Sequence, residues 1–191
     1  MRRSSAFKSD SARMEYCKLY DQAVALSPVP VEQSDVETSF GTTHVLTAGD
    51  PSKPPLIALH ALSMSATMWL PLLPTLTEFH HVRMLDVPGD INKSVARVVM
   101  SSPTRVVDWI NEVLDTLAIE GSTFVASSLG TWMATQYAMA RPERVEQLAE
   151  PGARLDLGEP HVAVRDQPGL AVLQLGQQHV ERLHRRQPHP Q

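Results

Sequence analysis

The stretch that decides the fold runs from Ser122 to Ala140 and reads "STFVASSLGTWMATQYAMA". Its first part is a short apolar run, typical of a strand buried on both faces of a parallel sheet. Its second part, rich in small residues, predicts a helix. Between them, Ala126 and Gly130 place small residues two positions before and two positions after Ser128. This pattern at a strand-to-helix turn is typical of a nucleophilic serine at the apex of a sharp, strained turn.

Two interpretations of Ser128 are open at this point. In the first, Ser128 is a nucleophile, and the lack of bulk at Ala126 and Gly130 allows the sharp turn. In the second, Ser127 and Ser128 only cap the following helix, as serine often does. The first interpretation needs a histidine that takes the serine proton and an acid that orients the histidine.

The segments on either side of this stretch predict a regular alternation of strands and helices. Such an alternation indicates an α/β fold with right-handed crossovers and helices on both faces of the sheet. A further unit is predicted to begin in residues 141–149. The other predicted elements are a helix over 11–26, a hairpin around Gly41, strands over 56–60 and 82–87, a helix carrying Leu70, Leu73, Leu76 and Phe79, a loop over 91–102, and a helix that starts at Pro103, with Ser102 as its N-cap, and ends before Gly121.

The composition excludes several classes of protein. A chain of 191 residues can bury one substantial core, and its net charge of -4 gives no reason to expect nucleic acid or an anionic membrane as a partner. Its apolar runs are far shorter than the ~20 residues that a membrane span needs. No apolar segment follows the basic start, so a secretory signal is not expected. The single cysteine, Cys17, excludes an internal disulfide and favours a reducing, cytoplasmic location.

Three longer motifs carry a resemblance to a known family. Residues 56–69, "LIALHALSMSATMW", are similar to a strand followed by His-Gly and, later, a tryptophan. Residues 82–94, "VRMLDVPGDINKS", are similar to a D-x-P-G-x-G-x-S segment, and residues 106–148 to a helix, the serine turn and an A-x-x-x-P-E-R-V continuation. Over roughly residues 8–148 the chain resembles the α/β-hydrolase superfamily, and within it the esterase-like serine hydrolases. The resemblance implies a partial α/β-hydrolase fold, a mostly parallel sheet with an N-terminal helix and hairpin.

The same resemblance implies roles for individual residues. Ser128 would be the nucleophile, and the backbone N–H of Leu129 one donor to the oxyanion, aided by the helix N-terminus. The second donor would be the N–H of Leu62, in a loop where Ala61 stands in place of the family's usual glycine. Supporting rather than catalytic roles are implied for His60, Asp86 and Trp69.

The acid and histidine of the family follow the nucleophile, at the ends of two later strands. After about residue 149 the chain becomes rich in Gln, Arg, His, Pro and Gly. We therefore predict that residues 1–149 are the N-terminal part of a hydrolase domain. Residues 150–191 are predicted to be an atypical, poorly ordered tail, in which the family's last strands are missing or altered. Asp166 and His179 occur in the right order for acid and base, but neither follows a convincing strand.

These features predict a serine hydrolase that acts on a small carboxylic ester or similar acyl substrate. No cofactor is predicted, because no glycine-rich phosphate turn follows a strand, and no metal, because His179, His184 and His189 lack cysteines and a rigid element nearby. One alternative is an inactive remnant or interaction module that keeps the fold without the triad. Another is a cofactor-free relative with a different chemistry, since one fold hosts many. A sheet that stops after its third crossover has an open edge, so self-association through that edge is also predicted.

Overall fold

A seven-stranded sheet lies between two layers of helices in the computed structural model, which describes residues 6–149. The hairpin, the strands and the helices that the sequence predicts are all present. The elements are α1 (Asp10–Ala25), β1 (Glu32–Thr38), β2 (Gly41–Ala48), β3 (Pro55–Leu59), a 3-10 helix (Ala66–Leu72), α2 (Leu73–Phe79), β4 (His81–Leu85), β5 (Val95–Ala96), α3 (Pro103–Thr116), β6 (Ser122–Ala126), α4 (Leu129–Ala140), a second 3-10 helix (Pro142–Arg144) and β7 (Val145–Ala149).

The sheet is mixed, and its centre is parallel. The strand order is β1-β2-β4-β3-β6-β7, with β5 paired to β2. Strands β4, β3, β6 and β7 run parallel to one another, whereas β2 is antiparallel to β1, β4 and β5. The register pairs Leu59 with Leu85 on one side and with Ala126 on the other. Because parallel neighbours end at the same place, the chain segments after β3, β4 and β6 all leave one edge of the sheet, which we call the carboxyl edge.

Helices cover both faces of the sheet, as predicted. The face that carries Ile57 and Leu59 packs against α3 and α4. The opposite face, which carries Leu56 and Ala58, packs against α1, α2 and the 3-10 helix between β3 and α2. Alternate residues of β3 therefore enter different layers of the core, as the period of two in a strand requires. A strand buried on both sides accounts for its continuous apolar sequence.

Helix α3 confirms the clearest helical pattern in the sequence. Val106, Ile110, Val113 and Leu114 of its apolar stripe are fully buried, and its N-cap Ser102 accepts a hydrogen bond from the Arg105 N–H at 3.4 Å. The helix ends at Thr116, well before Gly121. The residue with left-handed backbone beyond the helix is Ala118, at φ 55°.

Two predicted segments differ in detail from the structure. The predicted helix around Leu70 is divided into the 3-10 helix, which contains Pro71, and the short α2. Phe79, expected on the buried stripe, is 39% exposed at the end of α2. The predicted loop over 91–102 contains the two-residue strand β5, which is too short to produce a periodic pattern.

Strand β7 is the last element described, and among residues 6–149 it pairs only with β6. The predicted tail of residues 150–191 lies outside the described residues. Self-association through the β7 edge is not tested by a single chain and stays a prediction. No helix between residues 6 and 149 is both long and apolar enough to cross a bilayer.

Candidate active site

Ser128 occupies the sharp turn between β6 and α4 at the carboxyl edge. Every residue of β6 is buried, and the Ser127 N–H donates to the Leu59 carbonyl at 3.1 Å, which ties the start of the turn to β3. Ser128 then has φ 53° and ψ -112°, a conformation that residues with a side chain rarely adopt. Such strain costs about 1–3 kcal/mol and persists only where the surrounding structure imposes it.

The capping interpretation does not hold for Ser128. Two serines that do cap helices within residues 6–149, Ser9 and Ser102, have extended backbones, and each accepts a hydrogen bond from an N–H in the first turn of its helix. Ser128 has neither feature: its backbone is left-handed and its side chain makes no capping hydrogen bond. Ser128 is an exposed residue at the apex of the turn. Capping therefore does not explain why a strained serine stands here.

Gly130 allows α4 to approach β3 closely. A Cβ atom at Gly130 would lie 2.4 Å from the Leu59 carbonyl oxygen and 2.8 Å from that of His60, distances that real Cβ atoms do not reach. Both atoms belong to the backbone and cannot move aside as a side chain could. At the other small position, Ala126 is fully buried, so alanine fits where the family pattern usually has glycine.

The backbone N–H groups of Leu129 and Leu62, both at this edge, have no acceptor within residues 6–149. Leu129 is the first residue of α4, and the first N–H groups of a helix have no intrahelical partner. Leu62 lies in the turn after β3, where the Ser63 N–H donates to Asp90 at 2.8 Å and the Met64 N–H donates to the Ala61 carbonyl at 3.1 Å. The Leu62 N–H has no such bond in the described part of the chain. Since β3 and β6 are neighbours, both free donors lie at the carboxyl edge.

His60 joins two loops rather than facing the serine. It is buried, its Nδ1 lies 2.8 Å from the Ala61 carbonyl, and its Nε2 accepts the Val87 N–H at 2.9 Å. A neutral ring with the proton on Nδ1 satisfies both contacts. The amide nitrogen of Asn92 also lies 3.3 Å from Nε2. Both ring nitrogens are therefore occupied, which agrees with the supporting role expected for His60.

Residues 86–94, the segment after β4, form a loop that we call the β4 loop. Asp86 is fully buried and accepts the Ala66 N–H at 2.7 Å and the Lys93 N–H at 3.0 Å. Burial raises the pKa of the Asp86 carboxyl, and the two N–H bonds act in the opposite direction. The Ser94 hydroxyl donates to the Asp86 carbonyl at 2.7 Å. Asp86 thus supports its loop, as expected.

Two residues of the β4 loop were missed by sequence reasoning. The buried Asn92 donates to the Val87 carbonyl at 2.8 Å and accepts the Ser94 N–H at 3.0 Å. Asp90 bonds the loop after β3. Both act through contacts that no local periodicity reveals. Trp69, expected to support the site, is fully buried in the layer formed by α1 and α2.

The described residues do not supply a base for Ser128. None of the histidines within residues 6–149 hydrogen-bonds the Ser128 hydroxyl. The candidate acid and base, Asp166 and His179, lie outside the described residues. Between residues 6 and 149, no group of three or more His, Cys, Asp or Glu side chains could hold a metal ion.

The family model of the alpha/beta hydrolase fold matches residues 54–171, more than half of the chain. The match includes the serine turn, the β4 loop and the turn after β3. The chain belongs to the alpha/beta hydrolase fold family.

Several relatives are carboxylesterases by name. The chain is 33% identical over 136 residues to the uncharacterized carboxylesterase nap of Bacillus subtilis, covering 71% of this chain and 45% of the relative. It is 31% identical to the carboxylesterase YbfK of the same organism, covering 75% and 49%. The crystal structure of the B. subtilis naproxen esterase (carboxylesterase NP) superposes with a TM-score of 0.71 at 32% identity, covering 74% and 50%. The chain therefore spans about half the length of the relatives it matches.

Proposed function

We propose that this chain hydrolyses small carboxylic esters, or similar acyl compounds, with Ser128 as the nucleophile. The observation that carries the proposal is the backbone of Ser128, at φ 53° and ψ -112° with no capping bond. A strained serine at the end of a buried strand presents its hydroxyl outward, as a nucleophile requires. The likeness to relatives named carboxylesterases supports an ester as the substrate class.

In the proposed reaction the Ser128 hydroxyl oxygen attacks the ester carbonyl carbon, while a general base takes the hydroxyl proton. The carbonyl oxygen becomes an oxyanion, which the N–H groups of Leu129 and Leu62 would hold. Such donors are worth about 10²–10³-fold in rate each, because they face charge that develops only in the transition state. The base then gives the proton to the departing alcohol. Water attacks the acyl-serine, and the free carboxylic acid and Ser128 are released.

We propose Asp166 and His179 as the acid and base of this reaction. Their order after Ser128 agrees with the order in the family. Without a base, a serine hydroxyl is a poor nucleophile, and the oxyanion donors alone leave a rate about 10³–10⁴-fold above that in water. A His179→Ala variant should therefore lose most turnover while the fold of residues 6–149 is kept. Unchanged turnover in that variant would assign the base to another residue.

The proposal is tested by turnover of a p-nitrophenyl ester. We expect the full chain to release p-nitrophenol in a reaction that Ser128→Ala abolishes. Ser127→Ala is the matched control and should keep activity, because within residues 6–149 the hydrogen bonds of Ser127 all come from its backbone. Turnover that survives Ser128→Ala would contradict the proposal. Absence of any turnover in the unaltered chain would favour the inactive remnant or interaction module.

A further inference from the structure

One carboxylate at the carboxyl edge spans two loops. Asp90, in the β4 loop, accepts the Ser63 N–H on Oδ2 at 2.8 Å and the Ile91 N–H on Oδ1 at 2.8 Å. The first bond connects the loop after β4 with the turn after β3, 27 residues earlier in the chain. Because each oxygen accepts from a separate backbone N–H, the carboxylate is held in one direction.

The partner of this carboxylate is itself in an unusual conformation. Ser63 has φ 61°, in the left-handed region that favours glycine. At that angle the Ser63 N–H meets Asp90, and the next N–H, that of Met64, turns back to the Ala61 carbonyl. In the turn 61–64, the Leu62 N–H, like that of Ala61, has no acceptor within residues 6–149.

Asp90 does not depend on Ser63 for its own position. Its backbone N–H donates to the Val87 carbonyl at 3.3 Å, and its carbonyl accepts the Asn92 N–H at 3.0 Å. Helix α1 also holds the loop, since the Tyr16 hydroxyl donates to the Ile91 carbonyl at 2.8 Å. The position of Asp90 is thus fixed by contacts within the β4 loop and with α1, and Asp90 can stabilise the more exposed turn after β3.

We propose that Asp90 is a positioning residue for the oxyanion site. By accepting the Ser63 N–H, it keeps Ser63 in the left-handed region and leaves the Leu62 N–H free to bind the oxyanion. The turn could otherwise relax to an ordinary conformation, with its N–H groups redirected. This inference rests on the proposed function. It means that Asp90, which does not touch the substrate, orients the Leu62 N–H as a donor to the oxyanion.

A purely structural role for Asp90 makes a different prediction. If the Asp90–Ser63 bond only stabilises the fold, its loss lowers the free energy of unfolding and leaves the kcat of folded protein unchanged. If it positions the Leu62 N–H, its loss lowers kcat more than it changes KM, because the oxyanion exists only in the transition state.

The experiment compares Asp90→Ala and Asp90→Asn in the full 191-residue chain. Asparagine keeps one oxygen that can accept the Ser63 N–H, leaves the exposed Ile91 N–H to water and removes the charge; alanine removes both bonds and the charge. The readouts are kcat and KM for a p-nitrophenyl ester, and the amide hydrogen exchange of Ser63 measured by NMR. Asp108→Ala is the control, since Asp108 is an exposed aspartate on α3.

We expect Asp90→Ala to lower kcat about tenfold, less than the loss of an entire oxyanion donor, with KM within about twofold. Exchange of the Ser63 amide should accelerate in the same variant. Asp90→Asn should recover most of both properties, and the Asp108 control should match the unaltered chain.

Three results would overturn the inference. The first is an unchanged kcat in Asp90→Ala together with faster Ser63 exchange, which would leave the bond a structural role only. The second is unchanged Ser63 exchange, and the third is an Asp90→Asn variant as slow as Asp90→Ala, which would implicate charge rather than the N–H bond. Failure of the proposed function is separate: it is the absence of Ser128-dependent turnover in the unaltered chain, and the inference would fall with it.

Discussion

The β4 loop and the turn around Ser128, which we call the serine turn, lie at the same edge of the same sheet. They differ in the burial and hydrogen bonding of their polar groups. In the β4 loop, Asp86, Asn92 and Ser94 are buried, and their side chains all have partners. In the serine turn, Ser128 is exposed and strained, and the Leu129 N–H has no acceptor in the described part of the chain. Burial of polar groups without partners is costly, so the first arrangement is what folding alone favours.

The conformation of the β4 loop is therefore explained by its favourable hydrogen bonds, whereas the conformation of the serine turn is not explained by its contribution to stability. The two N–H groups that donate to the buried Asp86 carboxylate offset part of the cost of burying it. The serine turn instead costs stability, and the rest of the structure must impose it. Two features impose the conformation of the serine turn: Gly130 packs closely on β3, and the Ser127 N–H donates a hydrogen bond to the Leu59 carbonyl.

The largest expected effect on the free energy of unfolding is that of Gly130→Ala. The added Cβ would meet two backbone carbonyl oxygens, so either β3 or the start of α4 must move. Overpacking of this kind costs about 1–3 kcal/mol, and backbone neighbours favour the upper end. We expect urea denaturation to show this loss and ester turnover to fall with it. Gly121→Ala is the control, because the nearest atom to its Cβ would be Glu146 Oε1 at 3.5 Å. Equal stability of the two variants would contradict the close-packing account.

Asp86→Asn tests the β4 loop, in which the buried polar side chains have hydrogen-bond partners. An asparagine has one acceptor oxygen and one amide nitrogen, so either the Ala66 or the Lys93 N–H would face another donor. A buried donor without a partner costs about 1–3 kcal/mol. Thermal unfolding should show the loss, whereas Asp108→Asn on the exposed face of α3 should unfold like the unaltered chain. A neutral effect of Asp86→Asn would mean that these two bonds do not stabilise the β4 loop.

Ser128→Gly and Ser128→Ala separate the strain from the chemistry. Both remove the hydroxyl, and both should abolish turnover. Glycine adopts φ 53° without steric cost, whereas alanine keeps the strain. We expect the glycine variant to be more stable than the alanine variant by about 1 kcal/mol, measured by urea denaturation. A less stable glycine variant would show that the turn is not strained.

The smallest expected effect is a pH dependence from His80. Burial lowers the pKa of His80, and burial also lowers that of the neighbouring His81. An unfolded histidine has a pKa of about 6.5. The unfolded chain therefore binds more protons just below that pH, so stability is complete above pH ~6.5 and falls as the pH drops through the lowered folded values. The urea concentration at the unfolding midpoint should decrease as the pH is lowered from 7.5 to 5.5. The decrease should be smaller in His80→Gln. An identical fall in that variant would exclude His80 as a cause.

The sequence is sufficient for the parts of the site that depend on local pattern. The apolar run of β6, the small residues around Ser128 and the helix after it are contiguous, so the turn could be predicted from them. The apolar runs of β3 and β4 likewise predict buried neighbouring strands. The supporting roles of His60 and Asp86 came from the family resemblance, and their hydrogen bonds agree with it.

Contacts between distant segments could not be predicted in this way. The bond from Ser63 to Asp90 joins two loops, and neither loop has a periodic pattern. Strand β5 exists because two residues meet Gly41 and Thr42 of β2, which no local propensity indicates. The strain at Ser128 is a property of its backbone angles, and the sequence could only suggest it through the small neighbours.

The most direct test of the central claim is to locate the covalent adduct of a fluorophosphonate probe. Such probes react with activated serines and record the reactive residue itself. Trypsin should release a peptide spanning residues 106–144, which contains both Ser127 and Ser128. If Ser128 is the nucleophile, tandem mass spectrometry will place the adduct on Ser128, and Ser128→Ala will remain unlabelled. An adduct on Ser127 or elsewhere, or a folded chain that no probe labels, would contradict the account.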